Sequence, residues 1–421
     1  AWLEFRRVLF RSLDSPIAVP GAPGSMVAWL KSVMAHRQAL AQSRYDSSTP
    51  NPEEVLQHRC RAVQVGVREA WETGTRWLVD NVTAPWEPNW IEDSLNDLIP
   101  SPTQAVGQLF PVSSGGAERP SPLLVRPCIE IVDVTRSRAA ETWEFAMALR
   151  NRMQQNRKAS VLDTLGYAPH APYTASTEIV GLASQAAAEP GGLVSFHLAE
   201  STEEREWTES RTGPFADWLG SRVDAMHRNS IGSTISHLRQ LSQAYRAIIA
   251  HGNYLNEEEI AFLSDRRSSM GVVYCPRTHH HFRHPPHPAP RLVQAGIPVF
   301  LGTDSRASNP DLSIFEEWRT ACRAVPSVSP RDWMACCTTQ PSNFFQIPGG
   351  LGTLKPGVQA WLTWVPFADG TSVQVCSSEI DASENNISKN DIPESEGELW
   401  GEMLRSSGAI PLESHPAFAD A

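Results

Sequence analysis

The chain is 421 residues long, enough for a large buried core, and its 36 Lys and Arg against 47 Asp and Glu leave a net charge of −11. That balance excludes a broad basic face able to track a phosphate backbone, and no run of about 18 apolar residues is present to span a bilayer. Seven cysteines, an odd count without a CxxC pair, indicate neither a disulfide framework nor a thiolate zinc site, so all seven read as buried reduced thiols.

The opening AWLEFRRVLFRS changes abruptly at Leu13 to a text rich in Pro, Gly and Ser. RRVLFRS, Arg6 to Ser12, is too short and too charged for a signal h-region. One back-translation of it spells the end of a widely used sequencing adapter, so residues 1–12 are expected to be a non-native leader. From Asn51 to Arg319, helical patterns alternate with short β-rich runs, as they do where βα units build a parallel sheet. The candidate strands are Arg76–Val82, Leu124–Val134, Leu162–Ala168, Leu193–Ala199, Ala247–Gly252, Gly271–Pro276 and Ile297–Asp304. Between them lie amphipathic stretches such as VLQHRCRAVQVGVREAWETG and SHLRQLSQAYR, with apolar residues at three- and four-residue spacing. Seven strands of a βα series predict an α/β fold, a (β/α)8 TIM barrel without its first strand, over residues 13–347. Gly349–Val365 reads as a turn and a strand outside that alternation, and residues 369–421 as a polar tail rich in Ser, Glu, Asn and Asp.

Four short motifs close candidate strands, and in a barrel of this kind the C-terminal strand ends form the active-site face. HLAE, His197 to Glu200, combines an imidazole suited to a zinc-like ion with a carboxylate three residues on, able to lie beside the metal and carry protons. AHG, Ala250 to Gly252, places a histidine after apolar β residues; it is either bonded to backbone in the core or aimed into the mouth. GTDS, Gly302 to Ser305, puts Asp304 at the tip of an apolar strand, where it needs a cation or donors, or else caps the following helix. In APHAPYT, Ala168 to Thr174, two prolines hold His170 in a fixed turn or simply form a loop. In VVYCPRTHHHFRH, Val272 to His284, the consecutive His279, His280 and His281 point in different directions and cannot converge on one ion, which favours a substrate loop. Arg277 there either offers its planar fork to an anionic substrate or staples the loop.

Taken in order, APHAPYT, SFHLAES, IAHGNYL, VVYCPRTHHHF, FLGTDSRASNPDLSIFEE and LGTLKPG resemble the amidohydrolase superfamily, in its cytosine deaminase, chlorohydrolase and aminodeoxyfutalosine deaminase branch. The likeness runs from about Leu13 to Val365. It implies that His197 and Asp304 bind a metal, that Glu200 is the proton shuttle, and that His251 bonds or activates the attacking water, with metal ligation as its lesser role. His170, Arg277, His279 and Ser308 fall to the substrate. The implied cofactor is one divalent ion, zinc before iron or manganese, whose bound water is activated to hydroxide.

The implied activity is hydrolytic deamination of an amino-substituted heterocycle, a purine or pyrimidine derivative of aminodeoxyfutalosine type. Displacement of chloride from a triazine-like ring and a non-catalytic binding barrel are the alternatives. The expected partner is a small heterocycle, with neither nucleic acid nor membrane, in the cytoplasm; a homo-oligomer is left open. Members of the superfamily begin with a strand ending His-x-His, and Leu13–Val33 resembles the text after it, yet no such motif precedes Leu13. The chain as written is therefore expected to bind metal poorly and to be inactive. Residues 348–368 are expected to be a remnant of a composite β-sandwich.

Overall fold

Seven runs of apolar and β-branched residues pair side by side, all parallel and in chain order, in the computed structural model. They are β1 (Trp77–Val82), β2 (Leu124–Ile131), β3 (Gly166–Pro169), β4 (Leu193–Leu198), β5 (Arg246–His251), β6 (Met270–Tyr274) and β7 (Val299–Leu301). The structure describes residues 25–44, 51–98, 123–155, 164–220, 223, 230–347, 363–366, 372–374 and 410–411. At least one helix lies between each strand and the next, the crossover that parallel pairing requires. The seven expected strands are all present, and the curled parallel sheet is that of an α/β barrel. Its edges are β1 and β7 among the described residues.

Strand alternation sorts the side chains into two layers. In β4, Val194, Phe196 and Leu198 join the outer core with Val180, Ala183, Leu238 and Leu241 of the covering helices. Ser195 and His197, on the opposite face, line the interior. Inside the sheet, Cys128, Ala168, Leu193, Ile248 and Phe300 pack together, and Phe344 closes this cluster. The backbone carbonyl of Phe344 accepts from Arg246 Nε at 2.8 Å, which places it at the N-terminal end of β5. A third cluster covers the opposite rim: Trp29 of the helix Met26–Arg44, Tyr173, Trp207, Phe215 and Trp218 are all buried there. Burying side chains of this size contributes about 1.5–3 kcal/mol each.

The third strand begins later than the sequence pattern suggests, at Gly166, with Thr164 and Leu165 irregular. Gly166 is where this strand crowds its neighbours, since a Cβ there would lie 2.4 Å from Cys128 Sγ and 3.1 Å from the carbonyl oxygen of Leu193. Away from the barrel, β8 (Thr363–Pro366) pairs antiparallel with both β9 (Ser372–Gln374) and β10 (Ile410–Pro411). The expected leader, the LGTLKPG motif and most of the C-terminal tail lie outside the described residues.

No disulfide joins the described cysteines. Cys128, Cys275, Cys322 and Cys336 are buried, whereas Cys60 and Cys337 are only half-buried, against the uniform burial expected. Among the described residues no helix is long and apolar enough to cross a membrane.

Adding a methyl group at the crowded crossing should be costly. Gly166→Ala is expected to destabilise by about 1–3 kcal/mol through overpacking, and Cys128→Ala in the same chain should recover much of that loss. Chemical denaturation of the two single variants and the double variant measures the coupling.

Candidate active site

His197 faces the interior because it shares the phase of Ser195 along β4. Its Nδ1 donates to the carbonyl oxygen of His170 at 2.9 Å, so Nε2 carries the lone pair and is the atom left to ligate. His251 is the last residue of β5, paired in register with Leu198. Ile248 and Ala250 are the inward residues of that strand, so simple alternation would turn residue 251 outward. A φ of 72° at His251 breaks the alternation, and the ring comes round to the mouth. Its Nε2 then lies 3.3 Å from Glu200 Oε1, with both groups buried, and its ring centroid is 5.4 Å from that of His197. Asp304, three residues beyond β7, takes φ 55°, and Ala199, just before Glu200, takes φ 54°.

Each of these strand ends has its own support. Ser308 Oγ donates to Asp304 Oδ2 at 2.8 Å, and Thr278 Oγ1 lies 3.0 Å from Ser308 Oγ. Asn309 Nδ2 donates to the carbonyl oxygen of Thr303 at 2.6 Å. His287 holds the other corner. Its Nδ1 accepts the amide of Ala289 at 3.0 Å, which fixes Nε2 as the donor to the carbonyl oxygen of His251 at 2.8 Å. The ring of His287 stacks on Tyr274 at 4.1 Å between centroids, and burial pushes its pKa down to about 3.

The ligating atoms of His197, His251 and Asp304 all lie within 4.8 Å of one another. Two imidazoles and one carboxylate, with His197 already in the ligating tautomer, form a donor set that fits a zinc-like ion. Where the sequence supplied two certain ligands, the structure brings three donors together. A cavity of about 310 Å³ opens from them, walled by residues that include Val273, Phe300, Leu312 and Ile314.

The four residues assigned to substrate from sequence stand around this set, in supporting positions. His170 is buried, with Nδ1 2.6 Å from Thr174 Oγ1, and orients His197 through its carbonyl. Ser308 holds the Asp304 carboxylate. His279 has Asn253 Oδ1 at 3.1 Å from Nδ1 and the carbonyl oxygen of Pro285 at 2.9 Å from Nε2, so both nitrogens brace the loop. Arg277 is the clearest departure. Its Nε donates to Glu317 Oε1 and its Nη2 to Asp311 Oδ1, each at 2.7 Å, and Nη2 also reaches the carbonyl oxygens of Asp311 and Ser313. Glu317 is fully buried, so the guanidinium neutralises an internal carboxylate, and its fork is taken up by Glu317 and Asp311.

The histidine triplet lies on the short helix Pro276–His281, whose turn separates its members as expected. His287 was missed in the sequence. Its only signal is a histidine set among prolines in HPPHPAP.

Residues 118–389 match the family described as Amidohydrolase family. An aminodeoxyfutalosine deaminase of Deinococcus radiodurans is 31% identical over 179 residues, which is 40% of this chain and 42% of that protein. The match therefore spans less than half of that curated relative. Among solved structures, Helicobacter pylori aminofutalosine deaminase in complex with methylthio-coformycin superposes with a TM-score of 0.59 at 17% identity, covering 84% of this chain and 74% of that one. The atrazine chlorohydrolase of Arthrobacter aurescens TC1, complexed with zinc, superposes with a TM-score of 0.56 at 14% identity, covering 84% and 71%. At such identities these two structures show the fold.

Two outcomes follow from the supporting shell. Arg277→Ala leaves Glu317 buried and unpaired, so it should lose about 3–5 kcal/mol of stability in urea denaturation; a substrate contact would instead raise KM and spare stability. Burial pushes His279 down to about 4 and His284 to about 3 from 6.5. The unfolded chain thus takes up protons first, and stability should fall as pH drops below about 6.5 toward 3. Denaturation midpoints between pH 8 and pH 4 should show this slope, and His284→Asn should make it shallower.

Proposed function

The chain belongs to the amidohydrolase family, and on that premise we propose that it is a metal-dependent hydrolytic deaminase of an amino-substituted heterocycle, adenosine-like in its base. The observation that carries the reading is the convergence of His197, His251 and Asp304 beside the buried Glu200. A divalent ion held by those three, zinc foremost, would lower the pKa of bound water toward neutrality and so supply a nucleophile at physiological pH.

The remaining work falls to the side chains themselves. Glu200, beside the donor set, carries the first proton of the nucleophilic water to a ring nitrogen, which makes the neighbouring carbon electrophilic. It then takes the second from the hydroxyl of the tetrahedral adduct and delivers it to the departing amine as the C–N bond breaks. Asp304, fixed by Ser308, and His251, fixed through its backbone by His287, keep their orientation while charge moves between groups. The apolar walls at Val273, Phe300, Leu312 and Ile314 suit the faces of a planar ring and exclude water from it. The family and the deaminase name of the Deinococcus relative both support the C–N bond as the one cleaved. The reading carries with it a small heterocyclic partner and a cytoplasmic location.

Ammonia release from a panel of adenosine derivatives by the zinc-loaded full chain tests the proposal, which sets the convergence of three donors against the expectation of poor metal binding and inactivity drawn from the want of a His-x-His before Leu13. Glu200→Gln should keep the metal and lose roughly 10²–10⁴-fold of the rate, the usual share of a general acid–base. His197→Ala and Asp304→Asn should lose the metal itself. Chloride released from a chlorotriazine in place of ammonia would move the reaction to halide displacement, and a metal-loaded chain that releases neither would overturn both.

A further inference from the structure

Ala199 is the strangest backbone position in the site. His251 and Asp304 also have positive φ, but residues of those two types visit the left-handed region several-fold more often than most, whereas alanine has no polar side chain to ease it. Something outside the residue must hold it there. The turn runs from Leu198, the last residue of β4, to Ser201, the N-cap of the helix Thr202–Ser210.

Glu204, third residue of that helix and fully buried, reaches back across the turn. Its Oε1 accepts the amide of Ala199 at 2.7 Å and its Oε2 the amide of Glu200 at 3.1 Å. An ordinary capping box stops at the N-cap amide, as the same chain shows elsewhere. There Glu259 accepts from the amide of Asn256, the cap of its own helix, at 2.9 Å. Glu204 leaves its helix cap to Ser201, whose Oγ accepts the Glu204 amide at 3.1 Å, and grips instead the two residues before it. The carbonyls of the same two residues are held from the β5 side: Tyr254 N donates to Ala199 O at 3.0 Å, and Asn253 Nδ2 to Glu200 O at 2.9 Å. Amides to an ionised carboxylate are among the stronger hydrogen bonds, roughly twice a neutral pair.

We propose that Glu204 is a positioning residue, which holds Ala199 and Glu200 in a left-handed turn and thereby sets the Glu200 carboxylate against His251. The inference rests on reading Glu200 as the proton carrier. Without the two amide bonds Ala199 relaxes to negative φ, and Glu200 leaves its place 3.3 Å from His251 Nε2. Proton transfer is then lost before binding is. Capping alone would predict something else: loss of stability in proportion to helix fraying, with the turnover of the folded molecules intact.

Glu204→Gln keeps the volume and one acceptor, Glu204→Ala keeps neither acceptor, and Ser201→Ala removes the helix cap while sparing both Glu204 bonds. In the zinc-loaded full chain, kcat should fall roughly 10- to 100-fold in Glu204→Gln and further in Glu204→Ala, with KM nearly unchanged. The acid limb of the pH–rate profile should move in both. Ser201→Ala should lose stability and keep its kcat.

Amide hydrogen exchange supplies a readout independent of turnover. Ala199 and Glu200 amides should be protected in the parent and in Ser201→Ala, and exposed in the two Glu204 variants, while β4 and β5 stay protected. Equal protection in all four proteins, or unchanged kcat in Glu204→Gln, would overturn the proposal. Should Glu204→Ala not fold, Glu204→Gln against Ser201→Ala carries the comparison. A parent that releases neither ammonia nor chloride defeats the functional reading, while the exchange pattern still decides the role of Glu204 in the turn.

Discussion

The site depends on three strand ends leaving the β conformation. Ala199, His251 and Asp304 all adopt positive φ where β4, β5 and β7 run out, and that departure aims Glu200, an imidazole and a carboxylate at one point. Backbone strain of this kind costs on the order of 1–3 kcal/mol per residue and persists only where the surroundings over-determine it. Here the surroundings are hydrogen bonds, part-buried at Asp304 and buried at the other two: Ser308 on the Asp304 carboxylate, His287 on the His251 carbonyl, Glu204 on two amides. Strain and support lie in the same few residues, as expected where geometry has been fixed at the expense of local stability.

The barrel supplies the rigid frame for this. Parallel strands in chain order place the ends of β3, β4, β5 and β7 on one rim, and the aromatic cluster with Trp29, Trp207 and Trp218 packs above it. His197, His251 and Glu200 are buried, while Asp304 is partly open to the surroundings. Burial weakens competition from water and strengthens every interaction among the charged groups. The loop between β6 and β7 gives the second layer. Its His279, His284 and His287 are kept neutral by burial, and His279 meets the side chain of Asn253, next to the β5 end.

The seven strands were legible because each is a short apolar run bounded by turn signals, and the order of HLAE, AHG and GTDS along them placed the candidate ligands on one face. What escaped the sequence was whatever depends on an unusual φ or a distant partner. His251 sits one residue out of phase with Ile248 and Ala250, so periodicity alone points it the wrong way, and no pattern announces positive φ. Arg277 read equally as anion binder or staple, since Glu317 lies 40 residues further along in another helix and only the fold reveals that it is buried beside the guanidinium. Ser308 and His170 were assigned to the substrate; in the structure Ser308 meets the Asp304 carboxylate and the His170 carbonyl meets His197, and side-chain direction, which decides such contacts, has no sequence signal. The crowding at Gly166 is of the same kind, because it comes from Cys128 on the adjoining strand, 38 residues earlier in the chain.

Anomalous diffraction at the zinc edge, from crystals of the zinc-loaded full chain, addresses the central claim most directly. The account predicts a single strong peak bonded by His197 Nε2, His251 and Asp304, with the Glu200 carboxylate beside it and outside the coordination shell. A peak among His279, His284 and His287, or one that leaves His251 or Asp304 unbound, would contradict it.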